Sequence, residues 1–369
     1  MASSNEREQI RISIPPLYTP FPPETPHPKA ESLVEQGRAW ISSFPFFGEE
    51  LPRATIEAGR FGEASCLCWP TGSEETVRLS VDWALTLITM DDLVSDLGAD
   101  SHNVPLVVDT LSRVARTLEY PESGVQDDAN PFAAPWHDIA RRFHQYATPA
   151  VHRRWVEGHR SLFSGAVWQQ SVAQAGVLPS LNEYLSMRMQ TIGVLASGAM
   201  TELTGGYEVP GREMDSPAVR AVNEAWSLIM ACDNDLFSYG KELWQSRHGE
   251  ADNLNLVSLC INRHGHTLDQ ALEQVAALRN RAMALLVQLS ERLALTGSIE
   301  LRTYLLQAGQ VIRAGEDWQL DPRTRRYTSP HGSPPADIKF TADIVASPAA
   351  GTWTGGPLPT IDWWWDQLV

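Results

Sequence analysis

From about residue 31 to about residue 320, apolar positions recur with a helical period, and strand-like alternation is scarce. Two stretches are apolar on nearly every side. These are "GSEETVRLSVDWALTLITMDDLVSDL" (72–97) and "PAVRAVNEAWSLIMACDNDLFSYGKELWQ" (217–245), and both read as buried helices. Each turns acidic or polar towards its C-terminal end. Start signals recur along the chain: Thr71 with Glu74, Ser180 with Glu183 and Thr267 with Gln270 have capping-box spacing. Ser216 followed by Pro217 is a cap with a first-turn proline. "GVQDDANPFAAP" (124–135) reads as a loop. The expected fold class is all-α, a helical barrel or bundle with a polar mouth.

The two ends differ from this pattern. Residues 1–30 are Pro-rich and irregular ("IPPLYTPFPPETPHP"). From residue 328 to 369 the chain is rich in Pro, Gly, Ser and Ala, which predicts a loosely ordered tail with a sticky terminus, "DWWWDQLV".

Candidate chemistry lies at the ends of the two buried helices. "MDDLVSDLG" (90–98) sets Asp91, Asp92 and Asp96 against an apolar wall. Carboxylates taken out of water are costly unless something positive meets them. In "NDLFSYGKE", Asn234, Ser238 and Glu242 are spaced i, i+4, i+8 and share one helix face. Their donors are all oxygens, which suits Mg²⁺ or Mn²⁺. A single acidic helix end is usually a solvated face. Two such ends, each closing a long buried helix, point to several divalent ions with open positions for a phosphate-bearing ligand. His264 and His266 have no acidic helix beside them and read as surface loop.

The chain has 369 residues, 43% hydrophobic and 20% charged, the composition of a globular protein with a sizeable core. No apolar run is long enough for a membrane span. The polar start "MASSNEREQIRISIPP" lacks the apolar stretch of a signal peptide, so a cytoplasmic location is expected. A net charge of −16 argues against nucleic acid as a partner. It also requires any anionic ligand to meet locally placed cations. Cys66, Cys68, Cys232 and Cys260 have no zinc spacing and read as buried free thiols. A homodimer is compatible with the sequence.

The motifs resemble those of microbial class I terpene synthases. "DDLVSD" is similar to the family's aspartate-rich motif, and "NDLFSYGKE" to its Asn-Ser-Glu triad with a lysine before the glutamate. Arg188 lies 46 residues before Asn234, at the family's pyrophosphate-sensor spacing. Arg326-Tyr327 resembles the C-terminal Arg-Tyr pair. "DNLNLV" (252–257) resembles the segment after the triad, and "LYTPFPPETPHP" the N-terminal strap. The resemblance implies a strap (1–30), a catalytic domain of the class I terpenoid synthase fold (31–327) and the tail (328–369). It implies a linear isoprenyl diphosphate as substrate, bound by three Mg²⁺ ions, with Mn²⁺ as a substitute. Asp91, Asp92, Asp96, Asn234, Ser238 and Glu242 would be the metal ligands. Arg188, Lys241, Arg326 and Tyr327 would hold the diphosphate, and Phe61, Trp83, Leu87, Ile88 and Trp318 would line the hydrocarbon cavity, with Phe237 a further candidate.

Several positions depart from the family pattern. Thr191 stands where an Asp is common, and Ile192 stands at the effector position, with Gly193 next. Leu87 and Ile88 replace aromatic residues before the aspartates, and Trp318 lies further from Arg-Tyr than usual. The small Leu87, Ile88 and Thr89, with Gly193 and Gly198 if these face inward, favour geranylgeranyl diphosphate over farnesyl diphosphate. The alternatives are a sesquiterpene synthase and a helical protein that binds isoprenyl diphosphate without turning it over. Chain-elongating prenyltransferases carry two aspartate-rich motifs, and this chain has Asn-Ser-Glu at the second.

Overall fold

A computed structural model describes residues 8–96, 103–126, 130–247, 254–328, 336–348 and 351–369. The helices, in order, are α1 (Ala30–Ser42), α2 (Glu50–Gly59), α3 (Phe61–Cys68), α4 (Glu74–Met90), α5 (Val104–Glu119), α6 (Ala133–Tyr146) and α7 (Pro149–Ala175). They continue with α8 (Leu181–Thr191), α9 (Val194–Gly205), α10 (Gly211–Met214), α11 (Pro217–Arg247), α12 (Leu256–His264), α13 (Leu268–Thr296), α14 (Ile299–Leu320) and α15 (Pro359–Asp362). The described residues also include four short strands: β1 (Glu8–Ser13), β2 (Leu17–Tyr18), β3 (Ala336–Thr341) and β4 (Ile344–Val345). None of the described helices is long and apolar enough to cross a membrane.

Local sequence sets most helix starts. The capping boxes at Ser180 and Thr267 form as expected, and Val219 N donates to Ser216 Oγ at 3.4 Å. The start of α4 differs. Its cap is Ser73, which accepts from Thr76 N at 3.2 Å, and not Thr71. Ser73 itself is extended, and a Cβ on the preceding Gly72 would lie 2.7 Å from Val77, so only glycine fits the turn that leads into the cap. After Met90 the chain winds wider, and Asp91–Asp96 is π-helical, a form that recurs at functional sites.

Helices α4 and α11 run through the core and bury residues on nearly every side, including Leu79, Val81 and Leu85 on one, and Val222, Leu228 and Ile229 on the other. Close approach is needed where α7 meets the junction of α8 and α9. A Cβ on Gly158 would lie 2.5 Å from the backbone nitrogen of Ala196, and one on Gly165 would lie 2.8 Å from Gln190. Glycine at these positions lets the junction sit directly on α7.

The described residues of the C-terminal segment, 336–348 and 351–369, do not behave as a loose tail. β1 pairs in parallel with β3 from Glu8↔Ala336 to Ser13↔Thr341, and β2 pairs with β4. The β1–β3 sheet lies on α11, where a Cβ on Gly240 would meet Ile338 at 2.9 Å. Further on, Trp364 is fully buried and its Nε1 donates to Glu224 Oε2 at 2.8 Å. The Arg281 guanidinium lies 3.8 Å from the ring centroid of Trp365. Thr360 N donates to Asn182 Oδ1 at 2.9 Å, and Ser186 Oγ donates to Thr360 Oγ1 at 2.8 Å. Pro- and Gly-rich composition disfavours long regular elements, but it does not prevent a few large apolar side chains from anchoring irregular backbone.

The N-terminal segment is fixed by a buried charge cluster. Arg279 on α13 is fully buried. Its Nε donates to Asp233 Oδ1 at 2.8 Å and its Nη2 to Thr19 Oγ1 at 2.9 Å, with further bonds to Glu316 and to the carbonyl of Tyr18. Thr19 Oγ1 in turn donates to Glu316 Oε1 at 2.5 Å. Removing one partner of such a cluster leaves buried charge uncompensated, at a cost of about 3–5 kcal/mol. Arg279→Ala is therefore expected to lower the unfolding free energy by that order, read as a lower denaturant midpoint. An unchanged midpoint would show that the cluster does not contribute to stability.

Candidate active site

The C-terminal halves of α4 and α11 flank a cavity of about 310 Å³. Asp91, Asn234, Ser238 and Glu242 lie at its polar end, and Arg188, Lys241, Arg326 and Tyr327 line the same end. Phe61, Trp83, Leu87, Ile88 and Trp318 line the apolar walls, and Thr191 and Ile192 lie at the α8–α9 junction. Sequence positions from 61 to 327 thus meet in one cavity. The side chain of Asp96 lies outside the described residues.

Arginines meet the carboxylates. Arg188 reaches across from α8: Nε donates to Asp235 Oδ1 at 3.0 Å, Nη2 to Asn234 Oδ1 at 2.6 Å and Nη1 to Thr191 Oγ1 at 3.0 Å. Thr191 thus orients the guanidinium as a neutral acceptor. Arg326 forks Asp92, donating to both carboxylate oxygens at 2.8 Å, a bidentate geometry specific to guanidinium. Asn234 Nδ2 donates to the Tyr327 hydroxyl at 2.9 Å. Asn255 Nδ2 donates to Glu242 Oε2 at 2.9 Å and fixes that carboxylate. Burial, together with the neighbouring charge of Asp92, pushes the Asp91 carboxyl up to about 6.

The residues fit a divalent cation. Ser238 Oγ is buried and has no hydrogen-bond partner among the described residues, yet it sits on the face shared with Asn234 and Glu242. An orphaned buried hydroxyl is costly unless something engages it. Among the described residues no three His, Cys, Asp or Glu side chains converge as a closed cage. The oxygen donors are instead divided between two facing helix ends, an arrangement that leaves coordination positions open for a ligand.

Three further residues hold the site and are not among the ligands that the sequence pattern points to. Asp235 is buried on α11, accepts from Arg188, and also accepts from the Tyr184 hydroxyl at 2.6 Å and from Leu256 N at 3.0 Å. Tyr184 stands one helical turn before Arg188 and braces the same carboxylate. Asn255 falls in the segment after the triad and also donates to the carbonyl of Asp235 at 2.8 Å. A search for i, i+4, i+8 spacing passes over Asp235 because it is one step round the helix from Asn234.

The walls bring two corrections. Phe237 does not face the cavity; it packs against Phe340 of β3, with ring centroids 5.2 Å apart. One step along α11 from Ser238 is about 100° of rotation, which turns it away from the ligand face. Gly198 does not open cavity room either, because a Cβ there would meet the Tyr304 hydroxyl at 2.6 Å. A helix break falls at Gly193, which has φ +75°, a left-handed conformation that glycine adopts without a Cβ penalty, and it separates α8 from α9. At the opposite wall Phe61 and Trp318 lie 5.4 Å apart, and the Arg326 guanidinium lies 5.1 Å from the Phe61 centroid. Trp318 Nε1 is anchored on the carbonyl of Gly59 at 2.8 Å.

Comparison with known proteins agrees with this geometry. Residues 82–284 match the family model for "Terpene synthase family 2, C-terminal metal binding". Phomopsene synthase of Allokutzneria albata is 31% identical over 96% of this chain and 97% of its own length. Spiroviolene synthase of Streptomyces violens is 31% identical over 97% of this chain and 98% of its own. The crystal structure of the SVS_A2 protein from ancestral sequence reconstruction superposes with a TM-score of 0.78 at 31% identity, covering 96% of this chain and 100% of that one. The chain belongs to the bacterial-type class I terpene synthases, helical lyases that act on prenyl diphosphates.

Proposed function

We propose that this terpene cyclase takes geranylgeranyl diphosphate, ionises it with Mg²⁺ held at the cavity mouth, and cyclises the resulting allyl cation to a diterpene. The observation that supports this reading is the gathering of an oxygen ligand set and several cationic or phenolic donors at one end of a single apolar cavity. Asp91, Asn234, Ser238 and Glu242 would hold the metal, three ions by the family resemblance, with Asp92 and Asp96 assisting. Bound there, Mg²⁺ supplies positive charge that stabilises the departing diphosphate, and Mn²⁺ can substitute.

The protein's own groups do the remaining work. Arg188, Lys241, Arg326 and Tyr327 donate hydrogen bonds to diphosphate oxygens. The guanidiniums are suited to this because their planar forks match phosphate edges. Asp235 holds Arg188 in place while the carbon–oxygen bond breaks. Phe61, Trp83, Leu87, Ile88 and Trp318 exclude water that would quench the cation, and the aromatic faces of Phe61, Trp83 and Trp318 attract positive charge.

The chain-length assignment rests on aliphatic Leu87 and Ile88 in the wall beside Asp91. Each further buried CH₂ of substrate is worth about 0.8 kcal/mol in a cavity that fits it.

Asn234→Ala or Glu242→Ala should abolish pyrophosphate release while leaving helical circular dichroism intact, and EDTA should do the same to the parent. Full turnover in EDTA would overturn the metal assignment. Arg188→Lys should reduce the rate more than the binding, because the charge survives but the fork is lost. Parental turnover in that variant would remove Arg188 from the ionisation step. The substrate assignment predicts a higher kcat/KM for geranylgeranyl than for farnesyl diphosphate at equal metal concentration. The reverse order, with a cyclic sesquiterpene as product, would reassign the substrate within the same reaction class.

A further inference from the structure

The wall residue Trp83 is held by a group the reaction itself does not use. His159 on α7 is fully buried, enclosed by Trp83, Trp136, Trp155 and Phe163 at ring-centroid distances of 5.9, 5.6, 4.6 and 5.8 Å. Trp83 Nε1 lies 2.9 Å from His159 Nε2. Indole nitrogen can only donate, so Nε2 must be the acceptor and the ring proton must sit on Nδ1. Nδ1 lies 2.8 Å from the carbonyl of Trp155, one turn back on the same helix, and donates to it. Both nitrogens are therefore committed and the tautomer is fixed. Burial pushes the imidazole down to about 4, so it stays neutral. An imidazolium would present two N–H groups and could not accept from the indole.

The consequence falls on the cavity. Trp83 lines it, with Trp69 beside it at a centroid distance of 6.5 Å. Trp69 is similarly pinned, its Nε1 donating to Thr201 Oγ1 at 3.0 Å. An indole anchored by its N–H is restricted in rotation, so the hydrogen bond favours one orientation of the ring in the cavity wall. A carbocation moving along the chain is attracted to an aromatic face and not to its edge. We propose that His159 is a positioning residue that sets the angle of the Trp83 face and thereby selects among competing cyclisation routes. The proposal rests on the cyclase reading and concerns the steps after ionisation.

Three variants test it: His159→Phe removes the acceptor, His159→Gln keeps one, and Trp83→Phe removes the donor but keeps a ring. Each is incubated with geranylgeranyl diphosphate, and with farnesyl diphosphate in parallel. Pyrophosphate release and the hydrocarbon profile are measured separately. Loss of one hydrogen bond, about 1 kcal/mol, corresponds to roughly a fivefold change in the ratio of main to side products. The expected result is such a change in His159→Phe, with pyrophosphate release close to parental. His159→Gln should stay nearer the parent profile. In the Trp83→Phe background, adding His159→Phe should change nothing further. A parental profile in folded His159→Phe would overturn the proposal, as would a full additional change in the double variant. If His159→Phe does not fold, a His159→Gln profile no closer to the parent than that of Trp83→Phe would overturn it. Absence of pyrophosphate release by the parent from either substrate would overturn the cyclase reading itself, and the inference with it.

Discussion

The ion pair between Arg188 and Asp235 joins the two halves of the site. One partner ends α8, the other lies on α11, and the metal-ligand candidate Asn234 sits between them. A carboxylate buried on the central helix would be untenable without this cation. Asp235 is itself fixed by Tyr184 and by the backbone of Leu256, and together with Asn234 and Thr191 it holds Arg188 at the cavity. The pair therefore does two things at once. It compensates charge inside the bundle, and it sets a guanidinium in the cavity wall beside Asn234.

Three consecutive residues on α11 show how one helix serves three directions. Asp233 faces the buried Arg279 and, through it, the N-terminal strap. Asn234 faces the cavity, and Asp235 faces Arg188 on α8. The N-terminal segment, the cavity and α8 thus refer to the same turn of backbone. A displacement of α11 at any one of these contacts would be felt at the other two.

The amino-acid sequence reveals the polar half of the site more clearly than the apolar half. Helix-face spacing is a rigid geometric constraint, so Asn234, Ser238 and Glu242 group together on spacing alone. Arg188 and Arg326-Tyr327 are legible only through resemblance, since nothing local in a sequence indicates which distant helix an arginine will reach. The fold class is legible because helical periodicity extends over most of the chain. What stays hidden depends on contacts between distant segments. Asp235 looks like any acidic helix residue until Arg188 and Tyr184 arrive, and Phe237 looks like a cavity aromatic until β3 covers it. The composition of the tail misleads because its order comes from docking onto Asn182, Glu224 and Arg281, and not from its own propensity.

The parallel pairing of β1 with β3 bears on how the protein is made. The two strands are separated by 328 residues at Ser13 and Thr341. The earlier strand leaves the ribosome long before its partner has been synthesised, and must wait for it. Until then the apolar side chains of Ile10 and Ile12, which are buried in the finished fold, have no sheet to join. Contacts of such long sequence separation close late and slowly. The nascent chain can therefore build its central helices first, but it cannot seat β1 until β3 has emerged, and that interval is when this strand edge is open to wrong partners.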